Sequence, residues 1–213
     1  MMQEEQSSSS NLIMSFFEWL MTLAYLNVLW FFFTLKGFII FGIGPATVTL
    51  FGLIRKKLKQ GDLAYIYKQF KTEIEKHQSF GRKYSWLTIG IGLFLYIDMM
   101  VIRALPVSSV IQIIVIPGLL VLSALVLLVA TFTIGIRLEY KDTLLISIKK
   151  AFWTTLISPV SVLVIIHAFL VQWLVLSYIP AVFPFFSISL FAFFSQWIMS
   201  KAFRRMKNKK KSL

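Results

Sequence analysis

The chain has 213 residues, of which 58% are hydrophobic and 15% charged, and its formal net charge at pH 7 is +13. Its mean hydropathy of +0.78 excludes a soluble globular domain, in which apolar and polar positions have to alternate. The absence of cysteine excludes disulfide bonds, a thiol nucleophile and a thiolate metal site. The two histidines are far apart in sequence, so we do not expect a metal site. No nucleotide motif stands out, so we expect no cofactor.

The strong positive charge does not indicate a nucleic-acid partner. The 22 lysines and arginines flank long apolar runs, which is the pattern of the cytoplasmic face of a membrane. A helix needs about 20 apolar residues to cross the roughly 30 Å hydrocarbon core of the lipid bilayer, so about five or six spans fit in this chain. The sequence therefore predicts an all-α polytopic transmembrane bundle with one membrane domain, residues 12–200.

The N-terminal segment, residues 1–11, contains two glutamates and no lysine or arginine, and we expect it to be a short disordered polar tail. It does not resemble a signal peptide, because the apolar run that follows is too long. This run extends over 12–54. Within it, Ser15 and Glu18 fit a capping box, which places the start of the first helix at the membrane surface.

A helix break is predicted near the middle of this run, where Gly42 and Gly44 precede Pro45. Proline suits the first position of a new helix, so we expect a second helix to begin at Pro45. Two arrangements remain open. If the two halves form a hairpin, the chain has about six spans and a cytoplasmic N-terminus. If the second half is re-entrant or interfacial, it has about five spans and an external N-terminus. The helix-breaking turn favours the hairpin.

Residues 56–83 form a polar and basic cytoplasmic segment, in which an amphipathic helix is predicted over 62–78. Asp62 suits its N-cap. Its apolar face consists of Leu63, Ile66, Tyr67, Phe70 and Ile74, and its opposite side includes Lys68 and Lys71. We expect this helix to lie on the membrane surface, or alternatively to dock on a partner protein.

Four further spans are predicted in the second half of the chain, at about 86–102, 110–136, 151–177 and 181–200. Three of them contain a proline that is expected to produce a kink: Pro117, Pro159 and Pro184. Basic residues concentrate between the spans, with nine in 55–85, four in 137–150 and seven in the tail 201–213. The basic tail and the C-terminus are therefore predicted to be cytoplasmic.

A few polar residues within the apolar runs are candidates for a functional site. Asp98 and Arg103 are candidates because a charge inside a span is costly without a partner. They lie near the end of their helix and five residues apart, which is not a same-face spacing, so interface or packing roles are preferred. For His167, Gln172 and Asn27 we prefer interhelical hydrogen bonds to a proton relay.

The element Gly42-Ile43-Gly44-Pro45-Ala46-Thr47 is not a phosphate-binding loop, because it lacks the required lysine and third glycine. It is either a broken helix whose N-terminus faces a cavity or, as we prefer, a simple turn. Gly81, Gly90 and Gly92 predict close helix packing. The coupling signature of ABC-importer permeases is absent before Pro159, so the chain is not expected to be a permease.

Two motifs resemble those of the YesL-like family of small bacterial integral membrane proteins. The first is Asn-x-x-Trp at Asn27 and Trp30, and the second is Gly-x-Gly-Pro-Ala-Thr at 42–47, followed by Leu53-Ile54-Arg55-Lys56. The resemblance covers most of the chain. It implies a bacterial plasma-membrane protein without an established biochemical activity, so no catalytic residues carry over. It also implies genes that accompany carbohydrate-uptake ABC transporters and polysaccharide-degrading enzymes.

These observations lead to three functional hypotheses. The preferred one is an accessory or regulatory partner of an oligosaccharide ABC importer, which contacts the permease subunits through 62–78 and the Gly-Pro-Ala-Thr element. The second is an autonomous transporter or channel that uses the broken helix with Asp98, Arg103 or His167. An enzyme is disfavoured, because convergent His, Asp and Glu residues are lacking. Self-association is compatible with the sequence.

Overall fold

The structure is a computed structural model that describes residues 2–61, 63–104 and 109–211, with side chains described for 13–61, 63–104 and 112–202. Helices make up nearly all of these ranges, and no strand occurs in them, which confirms the all-α class. The helices are α1 (Met2–Lys36), α2 (Ile43–Gln60), α3 (Ile66–Ala104), α4 (Ser109–Tyr140), α5 (Leu144–Ile157), α6 (Pro159–Tyr178), α7 (Phe183–Phe186) and α8 (Ser189–Lys211), with a short 3-10 turn at Pro180–Val182.

Several helices have the length and composition of membrane spans. Four segments of the described chain qualify on their own: Ile13–Lys36, Ile66–Ala104, Gln112–Tyr140 and Pro159–Tyr178. Pro180–Phe186 and Ser189–Ala202 together would form a fifth, bent by 55°. Helix α2 does not qualify, because four basic residues occupy its last two turns. The fold is that of a helical, membrane-embedded protein.

Helix α2 is the central element of the fold. It packs against α1, α3, α4 and α8, and from Ile43 to Leu58 its side chains are buried or half-buried on all sides. Among them, Ala46, Val48 and Leu50 have no exposed surface. A helix that is apolar and enclosed on every side belongs to the interior of a protein. The second half of the first apolar run is thus surrounded by protein instead of lipid.

The predicted break in this run is confirmed, and it separates α1 from α2 by a six-residue turn over 37–42. Phe38 and Ile39 adopt φ angles of 53° and 59°, a left-handed conformation that is unfavourable for such side chains. A Cβ atom on Gly42 would lie 2.5 Å from the carbonyl oxygen of Thr34, so only glycine fits there. Pro45 is the third residue of α2, not the first as predicted, and it still lies in the first turn, where no intrahelical N–H donor is lost.

The predicted capping box at Ser15 and Glu18 is wrong. Helix α1 is continuous from Met2 to Lys36, so it contains both the expected cap position and residues 2–11 of the expected polar tail. Glutamine and glutamate at 3–6 are good helix formers, and the acidic ones suit a helix N-terminus. The carboxylate of Glu18 instead accepts a hydrogen bond from Lys57 Nζ at 3.0 Å. This contact places the two ends of the α1–α2 hairpin side by side.

The amphipathic segment 62–78 is not a separate surface helix, because most of it forms the first half of α3. This helix has 39 residues, which corresponds to a length of about 58 Å. Its apolar face packs inside the protein: Phe70 has no exposed surface, and its ring stacks on that of Phe33 at a centroid distance of 5.1 Å. Leu63 is also buried, and Ile66 and Ile74 pack against the same core.

The expectation that this whole face contacts the membrane or a partner is therefore corrected. Tyr67 remains about half exposed, and Lys68 and Lys71 are exposed on the other side of the helix. The predicted cap Asp62 lies outside the described residues.

Two of the three predicted proline kinks are helix breaks. Ser158 separates α5 from α6, which begins at Pro159, and Pro184 lies in the short helix α7 before the bend into α8. Pro117 differs, because α4 continues through it. The basic tail, predicted as a segment separate from the last span, continues α8 as helix to Lys211.

Candidate functional site

Asn27, the first residue of the Asn-x-x-Trp motif, lies in the interior of the bundle and contacts the start of α8. Its side-chain oxygen accepts hydrogen bonds from the backbone N–H groups of Ile188 and Ser189, both at 3.1 Å. Its amide nitrogen donates to the carbonyl oxygen of Pro184 at 2.8 Å and to Ser187 Oγ at 3.3 Å. Asn27 is fully buried and caps α8 from a different helix. The predicted interhelical role of Asn27 is confirmed.

Trp30, one turn further along α1, joins the first motif to the second. Its indole Nε1 donates a hydrogen bond to Thr47 Oγ1 at 2.9 Å, and Thr47 Oγ1 donates to the carbonyl oxygen of Ile43 at 2.6 Å. A buried indole N–H needs such an acceptor. The Asn-x-x-Trp motif therefore holds α1 against α8 on one side and against α2 on the other.

The glycines of the second motif allow α2 to touch α3 backbone to backbone. A Cβ atom added to Gly81 of α3 would lie 2.5 Å from both N and Cα of Pro45, and one added to Gly44 would overlap the carbonyl oxygen of Gly81. Ser85 Oγ also donates to the carbonyl oxygen of Ile40 at 3.2 Å. Close packing is thus confirmed at Gly81. It is not found at Gly90 and Gly92, where an added Cβ would have no atom of another element within 4 Å.

A buried ion-pair cluster lies near the C-terminal end of α2. Arg55 pairs with Glu139 of α4, and the two side chains are only 6% and 10% exposed. Arg55 Nη1 also donates to the carbonyl oxygen of Gly135 at 3.1 Å and approaches Gln196 Oε1 of α8 at 3.5 Å. Burial lowers the pKa of Arg55, and the nearby Glu139 and Tyr140 counteract this effect. The guanidinium group stays charged, since its ordinary pKa is far above neutral pH.

Lys57, two residues after Arg55, is buried in the same way against α1. Its Nζ donates to Glu18 Oε1 at 3.0 Å and to Thr22 Oγ1 at 2.8 Å, and it lies 5.0 Å from the ring centroid of Trp19. These contacts supply the partners that a buried ammonium group requires. Through Arg55 and Lys57, α2 forms polar contacts with α1, α4 and α8.

This cluster was not predicted from the sequence. Arg55 and Lys57 are among the nine basic residues of 55–85 that were used only to predict orientation. A weak signal was present, because Arg55 directly follows the apolar Leu53-Ile54 and is thus attached to a buried helix. The partner could not be identified, because Glu139 lies 84 residues away in the chain.

The two elements predicted to form an interaction surface do come together. A cleft of about 260 Å³, here called the hairpin cleft, separates the α1–α2 turn from the first half of α3. Its lining includes Lys36, Gly42 and Pro45 on one side and Lys71, Ile74 and Glu75 on the other. The Gly-Pro-Ala-Thr element and the 62–78 segment therefore share one surface. Ala46 is fully buried behind it.

The predicted intramembrane charges are not assembled into a pathway. Asp98 is half-buried on α3, while Arg103 on α3 and His167 on α6 are exposed. Among the residues that the structure describes, no hydrogen bond or ion pair joins these three side chains to one another. Gln172, in contrast, donates a hydrogen bond to the carbonyl oxygen of Ser187, which confirms its predicted interhelical role.

Comparison with known proteins identifies relatives of this chain. Residues 23–99 match a family described as protein of unknown function, DUF624. The uncharacterized protein YteU of Bacillus subtilis strain 168 is 32% identical over 196 residues, which cover 89% of this chain and 84% of YteU. The uncharacterized protein YesL of the same strain is 35% identical over 92 residues, which cover 43% of this chain and 44% of YesL. No solved structure matches the chain.

Proposed function

The chain belongs to the DUF624 family of proteins of unknown function, and from this premise we propose that it is an accessory subunit of a membrane complex. The partner that the YesL-like resemblance implies is the permease pair of a carbohydrate ABC importer. We further propose a location in the bacterial plasma membrane with a cytoplasmic C-terminus, and no catalytic activity of its own. The basic segments support this orientation.

One observation carries the proposal: the motif residues of the family are used for helix packing. Asn27, Trp30 and Thr47 bond to other helices, and Gly44 touches the backbone of Gly81. Side chains that make these contacts between helices fix the arrangement of the helices, and they are not available to bind a substrate. A docking subunit needs such a rigid hairpin, because a surface that is already ordered loses less conformational entropy when it binds its partner.

The hairpin cleft is the surface that we assign to the partner. It combines a rigid backbone edge at Gly42 with the charged groups of Lys36, Lys71 and Glu75. Lys68 is exposed one turn before Lys71 on the same helix. Exposed lysines beside a rigid cleft suit a partner segment with acidic residues, since complementary charge promotes association and fixes orientation.

Affinity purification after crosslinking in native membranes tests this proposal. We expect the tagged protein to recover two permease subunits in near-equal amounts, and the double variant Lys68→Glu/Lys71→Glu to recover at least fivefold less. Lys149→Glu is the matched control, because Lys149 is exposed on α5, away from the hairpin cleft. If the protein is recovered without permeases, or if all three forms recover them equally, the proposed docking surface is wrong.

An autonomous transporter is the second candidate, and the half-buried carboxylate of Asp98 in the apolar half of α3 favours it. This function predicts substrate flux in liposomes that contain only this protein, and loss of flux in Asp98→Asn or His167→Ala. A subunit predicts no flux under the same conditions. Reconstitution of the protein alone into liposomes therefore distinguishes the two candidate functions.

A further inference from the structure

A second cleft, unrelated to the motif residues, lies between α3, α4 and α5. It consists of two adjoining cavities of about 410 Å³ and 250 Å³, here called the basic chamber and the apolar groove. The basic chamber is lined by Lys76, Phe80, Lys83 and Arg137, together with the α4–α5 connection. The apolar groove is lined by side chains that follow on the same three helices.

The two cavities lie end to end and are together called the channel, because their linings occupy successive turns of the same helix faces. On α3 the lining passes from Phe80 to Tyr84, whose rings are stacked at 6.2 Å. On α4 it passes from Arg137 to Thr133, and on α5 from Leu144 to Ile148. Each step is four residues, which keeps a side chain on the same helix face.

The basic chamber carries a net positive charge. Lys76, Lys83 and Arg137 line it, and Asp142 is its one acidic lining residue among those described. Asp142 already pairs with Lys150 at 2.6 Å, and the exposed Lys76 pairs with the half-buried Glu73 at 2.7 Å. The guanidinium group of Arg137 is held in place, since it lies 4.9 Å from the ring centroid of Phe80 and donates to the carbonyl oxygen of Asp142 at 2.6 Å.

The apolar groove presents almost no polar atoms. It is lined by aliphatic and aromatic side chains, including Leu87, Ile91, Val126 and Phe152. The hydroxyl of Tyr84 donates to the carbonyl oxygen of Ala130 at 3.3 Å, so it is satisfied within the protein. The channel is therefore anion-binding at one end and hydrocarbon-like at the other.

We propose that this channel binds one anionic phospholipid, with its phosphate group in the basic chamber and an acyl chain in the apolar groove. The lining of α3 extends over 16 residues, from Lys76 to Ile91, which corresponds to a rise of about 22 Å. Half of the roughly 30 Å hydrocarbon core plus a headgroup has a similar length. The basic chamber lies on the side of the basic segments, and anionic lipids are concentrated in the cytoplasmic leaflet that such segments face.

Lipid binding is tested by native mass spectrometry of the detergent-solubilised protein with phosphatidylglycerol or phosphatidylcholine. We expect one tightly bound phosphatidylglycerol and at least tenfold weaker binding of phosphatidylcholine. Lys83→Glu should weaken phosphatidylglycerol binding by more than the roughly fivefold that the loss of one surface lysine costs, because it also reverses the charge. Arg82→Glu is the matched control, because Arg82 is exposed on the adjacent face of the same helix.

Two further measurements distinguish the lipid from a free anion and locate it. If glycerol 3-phosphate or inorganic phosphate competes at concentrations comparable to the lipid, the chamber binds soluble phosphates and the lipid assignment is wrong. Phosphatidylglycerol with a photoreactive acyl chain should label Leu87, Ile91 and Phe152. Equal labelling of the other lipid-facing helices, or equal binding by the Lys83→Glu and Arg82→Glu variants, would overturn the proposal.

Discussion

The side chain of Asn27 makes four hydrogen bonds to the segment that leads into α8, although 157 or more residues separate the partners. The N-terminal N–H groups of a helix have no partner within it, and water cannot supply one in the interior of a membrane protein. One amide thus satisfies two of these donors and fixes the distance between the first and last long helices of the chain.

Asn27→Leu should therefore lower the free energy of unfolding by about 2–4 kcal/mol, because the N–H groups of Ile188 and Ser189 at the start of α8 lose their acceptor. Thermal unfolding in detergent measures this loss. Val28→Ala is the control, because Val28 is 44% exposed on the same helix and its truncation should change stability by less than about 1 kcal/mol. Equal effects of the two substitutions would show that the hydrogen bonds contribute little.

Gly81 and Gly90 provide a second comparison at the residue scale. A methyl group at Gly81 would meet backbone atoms of Pro45, which cannot rotate away, so Gly81→Ala should cost about 1–3 kcal/mol. Gly90 has open space around it, and Gly90→Ala should leave stability unchanged or raise it through helix propensity. The same unfolding assay checks both variants. A neutral Gly81→Ala would mean that α2 and α3 can separate without loss.

At the scale of elements, α2 owes its central position to charges as well as to apolar packing. Arg55 and Glu139 form a pair in which both side chains are nearly inaccessible. Glu139→Gln should lower the free energy of unfolding by about 3–5 kcal/mol, because it leaves a buried guanidinium without its counter-charge. Glu73→Gln, which removes the partner of exposed Lys76, should cost less than about 1 kcal/mol.

The double variant Arg55→Met/Glu139→Met separates two explanations for that loss. If the cost of Glu139→Gln comes from an uncompensated charge, the double variant should regain much of the stability, since an apolar pair needs no desolvation. If stability falls further, the polar contacts of Arg55 with Gly135 and Gln196 matter more than the charge.

The contrast between α2 and the first half of α3 shows what local sequence can predict. The helix break before α2 follows from neighbouring glycines and a proline, so it was predictable. Periodicity also predicts the apolar face of 62–78, but it does not predict which residues pack on that face. One of them is Phe33, which stacks on Phe70 although the two residues are 37 positions apart in the chain. Pairings such as Arg55 with Glu139 escape prediction for the same reason.

At the scale of the whole molecule, the hairpin links the two ends of the chain. The first helix contacts α2 through Lys57 and α8 through the pair Trp19–Phe193, whose ring centroids are 5.0 Å apart. Helix α2 in turn contacts α4 through Arg55. The last long helix is therefore held by elements from the first quarter of the chain, so the bundle closes only when α8 has been added.

The contact between Glu18 and Lys57 predicts the side of the membrane on which the apolar span of α1, Ile13–Lys36, begins. Glu18 contacts Lys57, so we expect both ends of the hairpin to lie on the side of the basic segments, which the distribution of lysine and arginine predicts to be the cytoplasm. Because the chain contains no cysteine, single cysteines are clean reporters. With a membrane-impermeant maleimide, Arg103→Cys should be labelled in intact cells. Ser15→Cys and Lys59→Cys should be labelled only after permeabilisation. Labelling of Ser15→Cys but not Lys59→Cys in intact cells would separate the two ends that the Glu18–Lys57 contact joins.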